Sequence, residues 1–207
     1  MSVAVLFDLG DVLVHLRFER GLRRFAAAAG LSPSVAAGAA TLYLGEQALA
    51  FNRGEIAPEP FLRGLAERLG CGGLPLDACA DAWCDIFDPW PEMEALAGEV
   101  IDAGHPTYLL SNTDPVHFGW QLPRMPVLSR FTGLHLSYEV SCAKPDPAYF
   151  TGALRRFALS PADCVFIDDR EENVEAAREL GIRSHRHDGD VEAVRGFLRA
   201  AGVALQG

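Results

Sequence analysis

The chain lacks any long apolar run, and this absence sets the first limit on what it is. No uninterrupted apolar stretch approaches the roughly 18–20 residues that a membrane-spanning helix needs. The apolar stretch from Val3 to Phe7 has no basic leader and is followed at once by Asp8, so we do not expect a secretory signal. The sequence therefore favours neither a membrane protein nor an exported one.

Cysteine is also scarce, and its spacing excludes two classes of small protein. The five cysteines give an odd count without a Cys-x-x-Cys pair, which suits neither a disulfide framework nor a zinc site; they are Cys71, Cys79, Cys84, Cys142 and Cys164. We expect reduced, mostly buried thiols and a cytoplasmic location.

Positive charge is the third scarce feature. The chain has 18 Lys and Arg residues against 28 Asp and Glu residues, a formal net charge of -10. A chain this acidic repels a phosphate backbone, so general nucleic-acid binding is not expected. A small phosphorylated compound is not excluded, because one cation can dominate a pocket. With 207 residues, 49% of them apolar, the chain is long enough for one domain or for a core with a small accessory domain.

Short apolar runs alternate with helical patterns over most of the sequence. Unbroken apolar runs are typical of strands covered on both faces, as in a parallel sheet. The predicted strands span residues 3–7, 106–110, 164–167 and 181–185, with 133–136 as a fifth candidate. The predicted helices span 92–103, 146–157, 171–180 and 190–201, where Asp146-Pro147 is a start signal and Gly181 a stop signal. This alternation predicts an α/β fold with a doubly wound parallel sheet.

The stretch between about residues 17 and 88 interrupts this alternation. It contains a helix start signal at Ser32-Pro33, no convincing strand, and one apolar helical face formed by Phe61, Leu62, Leu65, Ala66 and Leu69. We expect a core made of residues 1–14 and 91–207, with a small helical cap of residues 15–90 inserted after the first strand.

Polar residues gather where the predicted strands end, which is where ligands bind in open α/β sheets. Asp8 and Asp11 follow the first strand, Ser111-Asn112-Thr113 follow the second, and Asp168-Asp169 follow the third. One such aspartate could simply cap a helix, but a pair opposite Asp8 favours a Mg²⁺ site. Ser111 and Asn112 could cap the next helix or hold a phosphoryl oxygen, and Lys144 could pair with phosphate.

Four motifs carry a resemblance to a known family. They are Phe7–Leu13, Leu110–Thr113, Ala143–Pro147 and Phe166–Asp169 with the later Asn173, and their order and spacing resemble those of the haloacid dehalogenase-like hydrolases. The insertion after the first motif resembles the helical cap of that superfamily's first cap class. Within the superfamily, the chain is similar to bacterial sugar-phosphate phosphatases related to α-D-glucose-1-phosphate phosphatase. Similarity to that branch extends to residues 52–56 and 113–120.

The resemblance implies a role for each motif residue. Asp8 would attack phosphorus and form a transient aspartyl phosphate, while Ser111 and Lys144 hold the phosphoryl group. Asp8, the carbonyl of Gly10 and Asp169 would bind Mg²⁺, with Asp168 close by and Asn173 in the outer part of the site. The implied function is magnesium-dependent hydrolysis of a small phosphorylated metabolite, such as a sugar phosphate.

The chain departs from the family at Gly10, where the phosphatases usually carry a second aspartate that serves as general acid and base. Losing such a group typically costs roughly 10²–10⁴ in rate. A sugar 1-phosphate has a good leaving group and needs less help. Asp11 is the next residue, and it either substitutes for the missing acid or serves as a turn residue, because in an extended chain it points away from Asp8.

The substrate side and the reaction itself leave alternatives open. His117 is a candidate substrate contact, and the alternative is that it only packs within its loop. Arg53 is a second candidate, and the alternative is a solvated surface position. One rival function is a 2-haloacid dehalogenase, which needs no metal, so the Asp168-Asp169 pair argues against it. The other is a non-catalytic regulatory protein made inert by Gly10. The sequence leaves the oligomeric state unknown.

Overall fold

Seven strands lie in the part of the chain that the structure, a computed structural model, describes: residues 2–30 and 45–205. They are β1 (Ala4–Phe7), β2 (Val14–Leu16), β3 (Phe87–Pro89), β4 (Thr107–Ser111), β5 (Gly133–Leu136), β6 (Cys164–Asp168) and β7 (Arg183–Arg186). Five of them form one parallel sheet in the order β5-β4-β1-β6-β7. The predicted doubly wound parallel sheet is confirmed, including its fifth strand.

The α-helices of the described residues are named next in chain order. They are α1 (Phe18–Ala28), α2 (Glu46–Asn52), α3 (Pro58–Arg68), α4 (Leu76–Cys84), α5 (Pro91–Asp102), α6 (Pro115–Gln121), α7 (Ser137–Val140), α8 (Pro147–Arg156), α9 (Glu171–Glu179) and α10 (Val191–Ala200). None of these helices is both long enough and apolar enough to cross a membrane.

Both faces of the sheet are covered, which explains why its central strand β1 is apolar at every position. In β1, Val5 and Phe7 belong to the hydrophobic cluster that includes side chains of α5 and α10. Ala4 and Leu6 belong to a second cluster, which includes side chains of α8 and α9. Because neighbouring side chains of a strand point to opposite faces, a four-residue strand without one polar residue fits only a sheet buried on both sides.

Two predicted helix boundaries have the expected local chemistry. The Asp146 side chain caps α8 by accepting a hydrogen bond from the backbone N–H of Ala148 at 2.8 Å, and Pro147 occupies the first helical position. Gly181 follows α9 with a φ of 86°, in the left-handed region that glycine adopts readily.

The insertion after β1 has a hydrophobic cluster of its own. Helices α1 to α4 contribute most of its members, and the largest rings are Phe25, Phe51, Phe61 and Trp83. Phe51 and Phe61 stack with ring centroids 4.1 Å apart. The division into a core and a cap of residues 15–90 stays a prediction, and the helix start predicted at Ser32-Pro33 lies outside the described residues.

The insertion is not purely helical at its base, so the prediction that residues 17–88 contain no strand was wrong at their end. Strands β2 and β3 pair antiparallel, with His15 opposite Asp88. Each has three residues, which is too short for an alternating pattern to stand out in a sequence. This ribbon connects the first core strand to the insertion and returns the chain to α5.

Helix α2 approaches the core closely at its carboxyl end. Gly54, just beyond α2, has a φ of 70°, and a Cβ atom placed there would overlap the carbonyl oxygen of Tyr138. The Ser137 hydroxyl lies 2.5 Å from the carbonyl oxygen of Asn52, the last residue of α2. Gly54 therefore permits a contact between the insertion and the core that no larger residue allows.

We predict that Gly54→Ala destabilises the protein more than Gly70→Ala does. Gly70 has a similar φ of 73° but nothing within 4 Å of its Cβ position, so both variants carry the cost of a left-handed alanine, about 1–2 kcal/mol. Only Gly54→Ala must also displace the Tyr138 backbone. Urea unfolding should show the larger loss of free energy for Gly54→Ala, and equal losses would contradict the close contact.

Candidate active site

The carboxyl ends of three neighbouring strands meet at one edge of the sheet. Asp8 follows β1, Ser111 ends β4, and Asp168-Asp169 end and follow β6. These ends border a pocket of about 360 Å³, whose lining includes Asp8, Ser111 and Asp169. The sequence prediction that polar side chains converge here is matched by their placement.

Lys144 is the buried cation of the site. Its Nζ lies 2.8 Å from Asp8 Oδ1 and 2.7 Å from Asp168 Oδ2, and it donates a third hydrogen bond to the carbonyl oxygen of Leu110 at 2.8 Å. An ammonium group has three N–H donors, and each is used. Burial lowers the pKa of Lys144, but the Asp168 and Asp8 carboxylates outweigh burial and leave the pKa above its usual value.

Asn112 fixes the loop that carries Lys144. Its side-chain N–H donates to the carbonyl oxygen of Lys144 at 2.8 Å, and its side-chain oxygen accepts from the backbone N–H of Lys144 at 2.9 Å. Both ends of the amide are therefore engaged by the protein. The geometry makes Asn112 a positioning residue for Lys144, a role that differs from the substrate contact expected from the sequence.

Asp168 is anchored on every side. Its Oδ1 accepts from the backbone N–H of Arg170 at 2.9 Å and from Asn173 Nδ2 at 2.8 Å, while its Oδ2 faces Lys144. Asn173 thus lies beside Asp168 and lines the pocket. Its side-chain oxygen is buried and has no hydrogen-bond partner in the described part of the chain.

The carboxylates outnumber the cation that faces them. Burial, opposed by Lys144 and reinforced by Asp168 and Asp169, raises the pKa of Asp8 to about 7. Burial together with the Asp168 and Asp11 carboxylates raises the pKa of Asp169 to about 6. Three carboxylates facing one ammonium form a site that another cation would stabilise.

The donor set fits a magnesium ion. One oxygen from each of Asp8, Asp168 and Asp169 lies within 4.8 Å of the others. Mg²⁺ takes oxygen ligands and is usually held by one or two carboxylates plus water and phosphate. Because Asp168 already accepts three hydrogen bonds, Asp8 and Asp169 are the carboxylates best placed to ligate directly. The Asn173 oxygen is an acceptor suited to a water molecule of such an ion.

Asp11 and Gly10 form the turn that follows Asp8. Asp11 has a φ of 48°, and its Oδ1 accepts a hydrogen bond from the backbone N–H of Leu16 at 2.9 Å. This bond ties the end of β2 to the loop that follows β1, which favours the turn role over the acid role. A Cβ atom on Gly10 would lie 2.8 Å from the Leu16 side chain, so Leu16 occupies space beside Gly10.

Three buried residues, Asp114, His117 and Trp83, join the insertion to the core beside the pocket. Asp114 caps α6 by accepting from the backbone N–H groups of Val116 and His117, both at 2.9 Å. Its Oδ2 also accepts from Trp83 Nε1 at 3.1 Å and lies 2.7 Å from His117 Nδ1. His117 Nε2 lies 2.9 Å from the Trp83 carbonyl oxygen, and the two rings stack. His117 lines the pocket with both ring nitrogens already engaged.

Arg53 is placed away from the pocket. Its guanidinium pairs with Glu55, with Nε 2.6 Å from Oε1, and Arg53 is not among the described residues that line the pocket. Its neighbour Asn52 does line it.

Several residues of the site escaped sequence reasoning. Asp114 had a readable signal, since Asp followed by Pro marks a helix start, but its contact with Trp83 has none. The Tyr149 hydroxyl lies 3.2 Å from the carbonyl oxygen of Ser111 and contacts that of His135, behind the strand ends. The apolar pocket residues Phe18 and Leu49 also had no signal.

Comparisons with known proteins agree with this architecture. Residues 3–181 match the family described as haloacid dehalogenase-like hydrolase. A HAD family enzyme from Bacteroides thetaiotaomicron, crystallised with magnesium and inorganic phosphate, superposes with a TM-score of 0.79 at 28% identity, covering 92% of this chain and 96% of the other. The chain belongs to the haloacid dehalogenase-like hydrolases, as its motifs predicted.

Two relatives of known activity are phosphatases. D-ribitol-5-phosphate phosphatase from Bacteroides thetaiotaomicron is 24% identical over 191 residues, covering 87% of this chain and 89% of the relative. Sesquiterpene phosphatase astK from Aspergillus oryzae is 26% identical over 140 residues, covering 64% and 67%. The chain is thus an enzyme of a hydrolase family, with phosphatases among its relatives.

We predict that Lys144→Met lowers the free energy of unfolding by about 3–5 kcal/mol in EDTA at pH 8, because it leaves two buried carboxylates without their counter-charge. Arg63→Met is the matched control, since Arg63 pairs with Glu59 at the surface, where an ion pair contributes at most about 1 kcal/mol. A loss at Lys144 no larger than the loss at Arg63 would show that the buried cation is not needed.

Proposed function

We propose that this protein is a magnesium-dependent phosphatase that hydrolyses a small phosphorylated metabolite through a phosphoryl intermediate on Asp8. The observation that carries the proposal is the buried Asp8 carboxylate at the pocket, held by Lys144 and close to Asp168 and Asp169. A carboxylate that attacks a phosphate dianion is repelled unless cations neutralise the site. Lys144 supplies one such cation.

The reaction would proceed in two steps. An Asp8 oxygen attacks phosphorus, the phosphorus–oxygen bond to the substrate alcohol breaks, and the leaving alkoxide takes a proton from solvent water. A water molecule then attacks the phosphorus of the acyl phosphate and gives a proton back to solvent, which releases inorganic phosphate and restores the Asp8 carboxylate. Ser111 and Lys144 line the pocket beside Asp8 and would hold the phosphoryl oxygens in both steps.

The magnesium ion would be held by Asp8, Asp169 and the carbonyl of Gly10, with Asp168 behind them. It would supply positive charge against the phosphoryl oxygens, which Lys144 alone does not balance. The solved relative that contains both magnesium and inorganic phosphate supports this assignment.

Similarity to other phosphatases does not identify the substrate of this protein. The relatives' names point to D-ribitol 5-phosphate in one case and a sesquiterpene phosphate in the other, so both polar and apolar alcohols occur as leaving groups among them. The sequence resemblance implied a sugar phosphate. The insertion of residues 15–90 would act as the cap that selects the substrate, since it contributes a large part of the pocket lining.

Expectations about location and partners extend this proposal. We infer a cytoplasmic protein without nucleic-acid or membrane partners, supported by five cysteines that are all free and by a net charge of -10. The dehalogenase alternative has support from the fold alone, because an L-2-haloacid dehalogenase from Xanthobacter autotrophicus superposes at only 19% identity. A non-catalytic role conflicts with an under-neutralised carboxylate cluster, which is costly to keep for structure.

Phosphate release from para-nitrophenyl phosphate should require both Mg²⁺ and Asp8. We predict that EDTA removes the activity, that Mg²⁺ restores it, and that Asp8→Asn lowers kcat by about 10⁴-fold or more because it removes the nucleophile. Asp169→Asn should raise the Mg²⁺ concentration needed for half-maximal activity.

Asp163→Asn is the matched control for Asp169→Asn, since Asp163 precedes β6 at the opposite end of the same strand. It should leave the Mg²⁺ requirement unchanged. Activity that survives Asp8→Asn would overturn the proposal. Halide release from 2-chloropropionate in EDTA would replace it with the dehalogenase.

Asp11→Asn separates the turn role of Asp11 from the acid role. Asparagine keeps a side-chain oxygen that can accept from the Leu16 N–H, and it tolerates a positive φ. We therefore expect kcat/KM to fall by less than about tenfold. A fall of about 10²–10⁴ would instead identify Asp11 as the general acid that replaces the residue missing at Gly10.

A further inference from the structure

The pocket is lined by two chemically different sets of residues. The strand ends contribute the charged groups at which phosphate would react. The insertion and its β2–β3 ribbon contribute mainly apolar side chains to the same pocket, namely Leu16, Phe18, Leu49, Trp83, Ile86 and Phe87. A leaving alcohol attached to the reacting phosphate would therefore meet hydrocarbon over much of its surface.

Most polar side chains in the rest of the lining are already engaged by the protein. The Asn112 amide binds the backbone of Lys144 at both ends. The His117 ring nitrogens face Asp114 and the Trp83 carbonyl, and the Arg170 guanidinium binds Glu172. These groups cannot bind substrate hydroxyls without giving up a partner.

Few hydrogen-bonding side chains then remain for a substrate. Among the lining residues within 2–30 and 45–205, the uncharged polar side chains that make no hydrogen bond in the structure are those of Asn52, Ser111 and Thr113, and Ser111 would already hold the phosphoryl group. A polyol such as ribitol presents four free hydroxyl groups after phosphorylation. Each hydroxyl that loses water without gaining a partner weakens binding.

Leu49 shows that the apolar lining extends to the surface. Its residue exposure is 46%, and it lies on α2 with its side chain among the pocket residues. Phe18 and Phe87 are half-buried beside the same pocket. An apolar group bound here would remove hydrocarbon surface from water on both sides of the contact, which favours binding.

We propose that the preferred substrate is a phosphate monoester of an alcohol with an apolar carbon skeleton, rather than a sugar or polyol phosphate. This inference rests on the proposed phosphatase function and specifies its leaving group. The pocket of about 360 Å³ is at the small end of ligand sites, which suits a short hydrocarbon chain or a single ring system.

A matched pair of substrates tests the inference. Hexyl phosphate and D-ribitol 5-phosphate are both phosphate esters of primary alcohols of similar length, but one chain is apolar and the other carries hydroxyls. With the full chain and Mg²⁺, kcat/KM for hexyl phosphate should be at least about tenfold higher. Along the series methyl, propyl and hexyl phosphate, kcat/KM should rise by about threefold per methylene group.

Two leucine variants locate the preference within the pocket. Leu49→Asn should lower the ratio of kcat/KM for hexyl phosphate to that for ribitol 5-phosphate by about tenfold. Leu122→Asn is the control, because Leu122 is similarly exposed at 41% but is not among the described pocket residues. Leu122→Asn should leave this kcat/KM ratio unchanged. A change in the ratio would show that a polar residue anywhere on the surface affects the assay.

The outcomes separate this inference from the function on which it rests. A faster reaction with ribitol 5-phosphate, or rates that stay flat along the alkyl series, would overturn the apolar preference while leaving the phosphatase intact. Equal effects of the two leucine variants would also overturn it. If para-nitrophenyl phosphate and every other ester stay intact with Mg²⁺ present, the proposed function itself fails and the inference fails with it.

Discussion

The buried contact between Lys144 and the two carboxylates of Asp8 and Asp168 is the constraint on which the rest of the site depends. A lysine this deeply buried is tolerated only if its charge is compensated and its three donors are used. Asn112 holds the loop that delivers it, and Asn173 with the Arg170 N–H holds Asp168. The site is therefore built as a charge network with one cation too few, which is the arrangement that a bound divalent ion would complete.

The insertion is tied to the core at two places beside this network. Helix α6 begins just beyond Thr113, which lines the pocket, and its cap Asp114 also binds Trp83 of the insertion. At a second place, the Asp11 side chain accepts a hydrogen bond from the backbone N–H of Leu16 at the end of β2. The two attachments lie beside the strand ends, so the apolar side chains of the insertion and the charged strand ends line one pocket. Under the proposed function, selection of the leaving group and phosphoryl transfer would take place in the same small pocket.

The sequence was sufficient for features that depend on local pattern. Strands such as β1 are recognisable because full burial demands an unbroken apolar run, and polar residues just beyond each run mark the carboxyl ends of the sheet. Features that depend on tertiary contacts were out of reach. The pairing of the three-residue strands β2 and β3 depends on residues that are distant in sequence. The hydrogen bonds of Asn112 to Lys144, the contact of His117 with Asp114 and the ion pair of Arg53 with Glu55 depend on side-chain orientation, which a sequence does not show. No sequence motif marks Phe18 and Leu49 as pocket residues, because a single apolar residue looks the same in a sequence whether it lies in the core, at the surface or in a pocket.

The most direct measurement is the position of a divalent ion in crystals of this protein soaked with Mn²⁺, whose anomalous scattering identifies it. We expect a peak at about 2.0–2.3 Å from carboxylate oxygens of both Asp8 and Asp169, with Lys144 still between Asp8 and Asp168. Density at other carboxylates only, with Asp8 and Asp169 turned away from each other, would contradict a metal site shared by these two residues.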